Sequence, residues 1–499
     1  MTNSGNEHLL LTPDIPEEYI LDTDDIDSIY IAQRYLLQML AHLRSGGSAN
    51  ITVYDTPELD QLLNLYRKQW LITESEHNRM QDNMLLIPPE HYTPTWYITG
   101  RTYDWGKYVD SRWGLLEYQS WSISKEVRLL LGSLGNFPGW IRIKWYKVTN
   151  AMMRFKELIE EINPNTQTVI SDVNDSILAK ELWWKSFLHD WYFTDGEKKA
   201  YWIPEGSFIK HSEWTLGLAN AISGLKKKWI FSYACKPVLA ASWEWIILLR
   251  SDSELSDFIS GYTFPFWDIV LEELIDLASL SVVIPELWED PLSLSVQFQD
   301  GKLMWQPTVQ ITHNWEFQGN IRMSRSTIKE KNLDNLTSII YTRSERMIDR
   351  LWLTWSWWFD YLISKAGTPY FIDPNLWRDT WALPLRTFDK IFWSEEQNVM
   401  FVKLPAHWVK DLEEFQKYAN EAWVQIFSAD TNRGIIPTTF ISERHLSVII
   451  VADEITQLWS WYEKIQTKLQ WLINQNSKSW RLIQTTQWKV LYTTLHAIN

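Results

Sequence analysis

The hydrophobic pattern changes period near residue 292, and this change most constrains the fold. From Leu292 to Gln299 apolar and polar residues alternate, Asp300-Gly301 is a two-residue turn sequence, and Lys302 begins a second apolar run. This arrangement predicts an antiparallel β-hairpin. Residues 308–317 and 320–324 continue the alternation. We therefore expect a small antiparallel sheet in the middle of the chain.

Helical patterns dominate on both sides of that segment. Residues 27–44 have apolar residues at helical spacing, with Asp27 or Ser28 as the cap and Gly46-Gly47 as the stop. Thr56-Pro57-Glu58 opens a second helix, with an N-cap, a proline at the first position and an acid in the first turn. Further helices are predicted at 149–162, 175–192, 212–224, 237–249, 265–279, 408–427 and 453–474, and a buried strand at 446–452.

A long segment without a helix breaker runs from about Asp334 to Lys365, and Gly367 with Pro369 supplies the stop. It predicts one helix of about 30 residues, roughly 45 Å long. Three tryptophans about a turn apart, Trp352, Trp355 and Trp358, mark its C-terminal half. Because tryptophan is enriched at the centres of interfaces, we expect these residues in a core or at a subunit interface.

The chain has 499 residues, which predicts two or three lobes of roughly 150 residues each. The predicted fold class is mainly α (α+β), a multi-lobed helical shell-type domain with a small antiparallel β region in its middle. The predicted lobes are a helical one over 1–280, a protruding β-rich one over 281–330, and a helical one over 331–499 with the long helix at about 334–365 and a basic C-terminal segment.

The sequence predicts a protein of the cytoplasm that is not secreted and does not meet a membrane. Its start, Met1 to His8, has neither a basic nor an apolar signal region, and no apolar run approaches the ~18 residues of a membrane-spanning helix. Cys235 is the single cysteine, which excludes an intramolecular disulfide framework and favours a reducing compartment.

Charge is distributed unevenly along the chain, whose formal net charge is −15. Residues 1–60 contain eleven acidic residues against Arg34 and Arg44. The stretch from Lys464 onward contains only basic charges, and a contact with RNA is predicted there first, at Lys464, Lys468, Lys478, Arg481 and Lys489. A tight nucleic-acid binder normally carries a basic arm, so this chain is expected to enclose RNA loosely rather than grip it.

Tryptophan is in unusual excess: the 33 Trp residues outnumber both the 21 Tyr and the 19 Phe. They have no fixed repeat, which argues against a repeat array. Two interpretations remain open. Most of them fill cores where Phe or Leu would otherwise lie, or a subset forms the contacts of an assembling subunit.

The motifs of common catalytic and cofactor sites are missing from the sequence. It contains no G-x-x-x-x-G-K-[ST] loop, no G-x-G-x-x-G turn and no H-E-x-x-H pair. Asp22–Asp27 lacks the glycine and the final glutamate of a calcium loop. Cys235 is interpreted as a small buried hydrophobe, since nothing ties it to a base at His189-Asp190 or Glu443-Arg-His445. No catalytic, cofactor-binding or metal-binding residue is therefore predicted, and no cofactor.

A short basic run, Lys226 to Lys228, precedes Trp229. It is either a place where phosphate and base contacts meet or, more simply, a solvated helix end.

Two aromatic segments, residues 137–155 and 432–440, give the chain a resemblance to the capsid proteins of small double-stranded RNA viruses of the partitivirus type. The resemblance implies a helical shell domain with a protruding middle region. It also implies homodimers that build a closed shell around loosely held viral RNA and a polymerase, in the virion or the host cytoplasm. The tryptophan excess departs from that family.

A structural, self-assembling subunit that is not an enzyme is thus the function predicted from the sequence. The alternatives are an enzyme or nucleic-acid-processing factor with an unrecognised site, and a phage tail or baseplate component.

Overall fold

The computed structural model describes residues 7–11, 26–45, 48–54, 57–69, 71–87, 140–144, 156, 159–161, 163–164, 167–170, 188–189, 193–238, 246–261, 268–299, 302–313, 316–351, 357–375, 385, 388, 396–442 and 445–476. Within these residues, strands β1 to β17 form three sheets, of five, four and eight strands. The helices α1 to α10 cover and connect the sheets.

The first sheet is parallel and has the strand order β3-β2-β1-β4-β5. Its strands are four to seven residues long. Helix α1 crosses from β1 to β2, the connection that parallel neighbours require. The elements are β1 (Glu7–Leu11), α1 (Ile26–Arg44), β2 (Ser48–Tyr54), α2 (Pro57–Lys68), α3 (Glu74–Asp82), β3 (Met84–Ile87), β4 (Trp140–Lys144) and β5 (Gln167–Ile170).

The second sheet, of four antiparallel strands in the order β6-β9-β7-β8, forms a small lobe with its own apolar core. Helices α5 and α6 contribute Leu218, Leu225 and Phe258 to that core. The elements are α4 (Asp195–Tyr201), β6 (Gly206–Ile209), α5 (Trp214–Lys227), β7 (Tyr233–Pro237), β8 (Ile247–Leu249), α6 (Asp252–Gly261) and β9 (Ile269–Glu273).

The third sheet has eight antiparallel strands in the order β14-β13-β10-β11-β12-β15-β17-β16. The elements are β10 (Ser293–Gln299), β11 (Lys302–His313), β12 (Glu316–Arg322), α7 (Arg325–Glu330), α8 (Asp334–Leu351), β13 (Trp357–Ile363), β14 (Pro369–Asn375), β15 (Asn398–Leu404), α9 (Leu412–Glu421), β16 (Gly434–Ile441), β17 (His445–Ala452) and α10 (Ile455–Asn476).

The two faces of the eight-stranded sheet differ in chemistry. One face carries Val296, Phe298, Phe359 and Phe371, which are fully buried, and the three phenylalanines make edge and tilted aromatic contacts. Helix α8 lies near β10 and β11, and the Ser344 hydroxyl lies 2.7 Å from the Tyr361 hydroxyl. The other face of β10 to β13 carries buried polar side chains instead. This polar face contains the candidate functional site.

Several local predictions are confirmed. The hairpin predicted after Leu292 forms, with Gln299 opposite Lys302 on β10 and β11. The predicted helices near residues 27, 57, 212 and 453 and the strand at 446–452 are also present. The helix predicted at 149–162 and the one at 175–192 lie largely outside the described residues.

The predicted long helix is wrong in its second half. Helix α8 ends at Leu351, and the chain returns as strand β13 from Trp357. Phe359, Tyr361 and Ile363 point into the core while Asp360 faces the polar side, which is the period of a strand. Aromatic residues favour this half-buried, pleated environment.

The mainly α fold class is also wrong. The region 237–249, predicted as a helix, contains the last residue of β7 and strand β8, and the region 265–279, also predicted as a helix, contains strand β9. Strand structure extends to β17 at residue 452 and is not confined to the middle of the chain. Apolar runs at these positions fit either a buried strand or a helix, and long-range pairing decides between the two. In the described residues, every helix is too short or too polar to cross a membrane.

Candidate functional site

A row of polar residues crosses the polar face of the eight-stranded sheet. Asp373, Asp360, Ser295, Thr308 and Arg322 are successive cross-strand partners on β14, β13, β10, β11 and β12. Directly paired residues project from the same face. Carboxylates therefore occupy one end of the row and a guanidinium the other, separated by three strand spacings, or about 14 Å, between Asp360 and Arg322.

Most of this row is buried. Asp360 is 6% exposed, Ser295 3%, Thr308 4% and Arg322 4%. Charged residues are rarely buried to this degree without partners, because burial removes their hydration. A row with both signs of charge in the interior is thus a candidate functional site rather than an ordinary strand surface.

Protein donors hold both oxygens of the Asp360 carboxylate. The Ser295 hydroxyl donates to Oδ1, and the Trp358 indole Nε1 donates to Oδ2 at 3.3 Å. Behind Ser295, the amide of Gln310 donates to Ser295 Oγ at 3.0 Å, and the Ser293 hydroxyl donates to Gln310 Oε1 at 3.0 Å. The carboxylate is fixed in place by a chain of buried hydrogen bonds.

Asp373 lies directly opposite Asp360, where the pairing of β13 and β14 shifts register between Asp360 and Tyr361. Residues opposite each other in an antiparallel pair have Cβ atoms about 5 Å apart. Mg²⁺ is commonly held by one or two carboxylates together with the phosphate oxygens of a substrate. Within the described parts of the chain, no group of three or more His, Cys, Asp or Glu residues forms a self-sufficient metal site. The donor set of Asp360 and Asp373 therefore fits a cation that a phosphorylated ligand helps to hold.

A second buried charged cluster lies in the small lobe. Glu272 on β9 forms an ion pair with Lys236 on β7 and accepts a hydrogen bond from His189 Nε2 at 2.7 Å. The three side chains are between 0% and 7% exposed. Gly206 leaves the room for the His189 ring, since an added Cβ would lie 2.7 Å from its Nδ1 atom.

The ionisation of Glu272 is maintained by this cluster. Burial alone would raise the pKa of the Glu272 carboxyl, but the Lys236 ammonium and the hydrogen bond with His189 outweigh burial and lower the pKa to about 2. Lys236 keeps further N–H donors beyond the one directed at Glu272, because an ammonium has three. The small lobe thus contains a cation in its interior whose donors are only partly used by Glu272.

The strand that carries Glu272 leads directly to the edge of the large sheet that carries the two aspartates. After β9, Leu277 bridges to Ser364, and the Ala278 amide donates to the Ile363 carbonyl at 2.7 Å, at the end of β13. The end of β9 also interacts with β14: burial raises the pKa of the Tyr370 hydroxyl on β14, and the charge of Glu273 on β9 adds to this increase. Asp360 is three residues from Ile363, about 10 Å along the strand. The fold therefore joins the small lobe beside the acidic end of the polar row.

Helix α4 secures the other connection of the small lobe. Glu197 forms an ion pair with Arg350 of α8 at 2.7 Å, and the Arg343 guanidinium lies over the Trp202 ring. The Trp202 carbonyl accepts a hydrogen bond from the Phe371 amide at 3.0 Å. Both the entry to the small lobe and the exit from it are tied to the elements around β14.

The residues predicted as a subunit interface do not share a helix. Trp358 lies on β13, half-buried, with its indole on Asp360, while Trp352 and Trp355 lie outside the described residues. Self-association through these tryptophans stays a prediction.

Two of the five predicted RNA contacts lie within the described residues. Lys464 and Lys468 lie on α10, where Lys468 pairs with Glu421 at 2.7 Å and lies 4.9 Å from the Trp471 ring. Lys478, Arg481 and Lys489 lie outside the described residues. A role in RNA contact stays a prediction. In the basic run, Lys226 pairs with Asp252 and Lys228 with Glu205.

Cys235 is fully buried on β7, and burial, with a contribution from Glu272, raises the pKa of its thiol well above the ordinary value. His189, suggested as a general base for this thiol, is bonded to Glu272 instead. We expect the native protein not to react with a thiol reagent such as DTNB, and to release one equivalent of thiolate dye only in denaturant. Reaction of the folded protein within minutes would contradict the buried position.

No protein-family model and no curated protein sequence matches the chain. Among solved structures, the N5-carboxyaminoimidazole synthase of Aspergillus clavatus, in complex with ADP and 5-aminoimidazole ribonucleotide, is similar at a TM-score of 0.48 and 7% identity, over 94% of this chain and 99% of that one. The ADP complex of the purK N5-carboxyaminoimidazole ribonucleotide synthetase gives 0.47 and 10%, over 92% and 96%. The ATP-analogue complex of the Campylobacter jejuni biotin carboxylase gives 0.45 and 11%, over 90% and 87%.

These findings overturn the function predicted from the sequence. By their names, the three similar structures are a synthase, a synthetase and a carboxylase, and none of them is a viral coat protein. The resemblance to partitivirus capsid proteins, the virion location and the expectation of a non-enzymatic structural subunit are therefore wrong. Aromatic-rich segments and missing motifs do not distinguish a shell subunit from an enzyme whose site is assembled from separate strands.

Proposed function

We propose that this chain is an ATP-dependent enzyme, of the ligase class, that binds ATP with a divalent cation at the acidic end of the polar row. The observation that carries the proposal is the cross-strand pair of Asp360 and Asp373 on a buried polar face. Adjacent carboxylates suit Mg²⁺ that is shared with phosphate oxygens. An acidic pair alone would repel a phosphate, so the cation is what makes nucleotide binding favourable at this place.

Each part of the site has a task under this proposal. Asp360 and Asp373 would hold the cation, which neutralises charge on the phosphates and orients the transferred group. Lys236, held by Glu272, has ammonium N–H groups that can donate hydrogen bonds to a phosphate oxygen. Arg322, at the far end of the row, places a positive charge about 14 Å from Asp360, where a second, anionic substrate would lie.

ATP also suits a site that holds two substrates on the polar face of the eight-stranded sheet. A ligation joins two molecules at the expense of a phosphate bond, so it needs a phosphate end, an acceptor end and polar groups between them. Ser295 and Thr308 occupy the space between the two charged ends. ADP and ATP are the nucleotides named with the similar structures, and they are the ligands for the test.

The test is a titration of the purified chain with Mn²⁺ and ATP, followed by isothermal calorimetry and by the Mn²⁺ resonance signal. We expect Asp360→Asn and Asp373→Asn each to weaken the binding of Mn²⁺·ATP at least tenfold, because each removes an anionic cation ligand. Asp276→Asn is the matched control, since Asp276 is exposed and pairs with Lys365. Its affinity should match that of the parent chain.

Two results would contradict the proposal. The first is that the parent chain does not bind Mn²⁺·ATP at millimolar concentration. The second is that both aspartate variants bind Mn²⁺·ATP as tightly as the control variant. Circular dichroism of each variant establishes that a lost signal reflects the site and not unfolding.

A further inference from the structure

We propose that Ser295 and Trp358 are positioning residues, which fix the Asp360 carboxylate in the orientation that a cation requires. The inference rests on the proposed function and deepens it. Ser295 Oγ donates to Asp360 Oδ1, and Trp358 Nε1 donates to Oδ2 at 3.3 Å. A donor on each oxygen restrains rotation of the carboxylate.

The direction of the hydrogen-bond chain behind Ser295 follows from chemistry alone. An ionised carboxylate only accepts, so the Ser295 proton must point at Asp360. The Ser295 oxygen must then accept from its other neighbour, which assigns the Gln310 amide nitrogen to Ser295 and the amide oxygen to Ser293. The Gln310–Ser295 and Ser293–Gln310 pairs are each separated by 3.0 Å, and this chain of hydrogen bonds ends on the Asp360 carboxylate. Gln310 therefore fixes the proton of Ser295.

Burial makes this arrangement effective. Ser293 is 0% exposed, Ser295 3% and Gln310 8%, so water has little access to compete for these bonds. A hydrogen bond to an ionised acceptor is stronger in such surroundings than at the surface. Partners that orient a metal ligand typically change metal affinity about 10- to 100-fold when they are removed.

Trp358 contributes in a different way from Ser295. It is two residues before Asp360 on the same strand and projects from the same face. Its indole supplies one N–H donor and no acceptor, so it cannot compete with the carboxylate for the cation. The ring also adds an apolar wall beside the carboxylate, and replacement by Phe removes the donor while keeping most of that wall.

The experiment measures the affinity for Mn²⁺ in the presence of ADP, from the resonance signal of free Mn²⁺, so that no turnover is needed. We expect Ser295→Ala and Trp358→Phe each to weaken Mn²⁺ binding about tenfold. Ser295→Thr keeps the hydroxyl and should bind within about threefold of the parent chain. Thr438→Val is the matched control: it removes a buried hydroxyl from β16 of the same sheet, where that hydroxyl donates to the Ser447 carbonyl at 3.1 Å.

The outcomes separate the two proposals. If the parent chain fails to bind Mn²⁺ with ADP or ATP, the proposed function itself fails. If the parent chain binds and Ser295→Ala binds equally well, only the positioning role is overturned. Equal losses in Ser295→Thr or Thr438→Val would assign the effect to packing and would also overturn the positioning role.

Discussion

Replacing Glu272 by alanine is expected to lower the free energy of unfolding by about 3–5 kcal/mol. The change leaves the Lys236 ammonium buried without its counter-charge, and His189 Nε2 without its partner. All three side chains are at most 7% exposed, so water cannot replace the lost interactions. Urea denaturation followed by circular dichroism and tryptophan fluorescence measures the loss.

The control for this prediction is an exposed pair in the same lobe. Glu205 and Lys228 are 2.5 Å apart, with side chains 27% and 49% exposed. Removal of Glu205 is expected to cost at most about 1 kcal/mol, as for other solvent-exposed ion pairs. A loss below about 1 kcal/mol in Glu272→Ala would contradict the account of the buried cluster.

The pH dependence of a second variant, Glu272→Gln, checks the electrostatic cause. The pKa of Glu272 is lowered from 4.5 to about 2 in the folded chain. Its stabilising contribution is therefore complete above pH 4.5 and is lost as the pH falls from 4.5 towards 2. The stability difference between the parent chain and Glu272→Gln should be constant from pH 7 to about 5 and narrow below that. A difference that grows towards acid pH would have the wrong sign.

Local chemistry was enough to predict the elements whose signals lie close together in the sequence. Helix α1 begins at Ile26, so Asp27 and Ser28, predicted as its cap, lie within the helix. The proline and acid of α2 and the pairing of Gln299 with Lys302 in the β10–β11 hairpin each depend on signals within a few residues. These elements form where predicted. Their stop and start signals do not depend on the rest of the chain.

The sheets could not be predicted in this way, because their apolar runs have no unique period. Ile269–Glu273 is five residues long, and four of them are buried between neighbouring strands. Its burial on β9 depends on pairing with β6 and β7, which lie more than 30 residues away in the chain. The segment 357–363 was read as a helix because nothing before Gly367 interrupts it. The polar Asp360 among alternating aromatic residues was the signal for a strand.

The candidate site escaped detection for the same reason. Asp360 and Asp373 are thirteen residues apart, and Ser295 and Arg322 lie further away, so no short motif contains the row. Lys236 and Glu272 are isolated charges within apolar strands, and their pairing exists only through the β7–β9 register. A buried charge inside a strand is the usable signal, since its burial costs free energy unless a partner or a ligand offsets it.

Gly319→Ala is expected to lower the free energy of unfolding by about 3 kcal/mol, the upper part of the range for overpacking in a core. Gly319 lies on β12 between β11 and β15, next to a shift in the β11–β12 register. An added Cβ would overlap the Phe401 carbonyl oxygen and lie 2.7 Å from Val402 Cγ1. The nearest obstacle is backbone of a paired strand, so a change of side-chain rotamer cannot relieve the overlap. Thermal and urea unfolding of the purified variant measure the loss.

The same substitution at Gly224 provides the matched control. Gly224 lies in α5, and an added Cβ meets nothing within 4 Å. There alanine should leave the stability unchanged or raise it by up to about 1 kcal/mol, because it restricts the unfolded chain and favours the helix. The contrast isolates the close approach of β12 and β15 from the general effect of a methyl group. If Gly319→Ala were as stable as Gly224→Ala, strands β12 and β15 would have to lie farther apart than they do here. Strand β15 would then not be the close, rigid neighbour that holds β12, and with it Arg322 at the basic end of the polar row, in place.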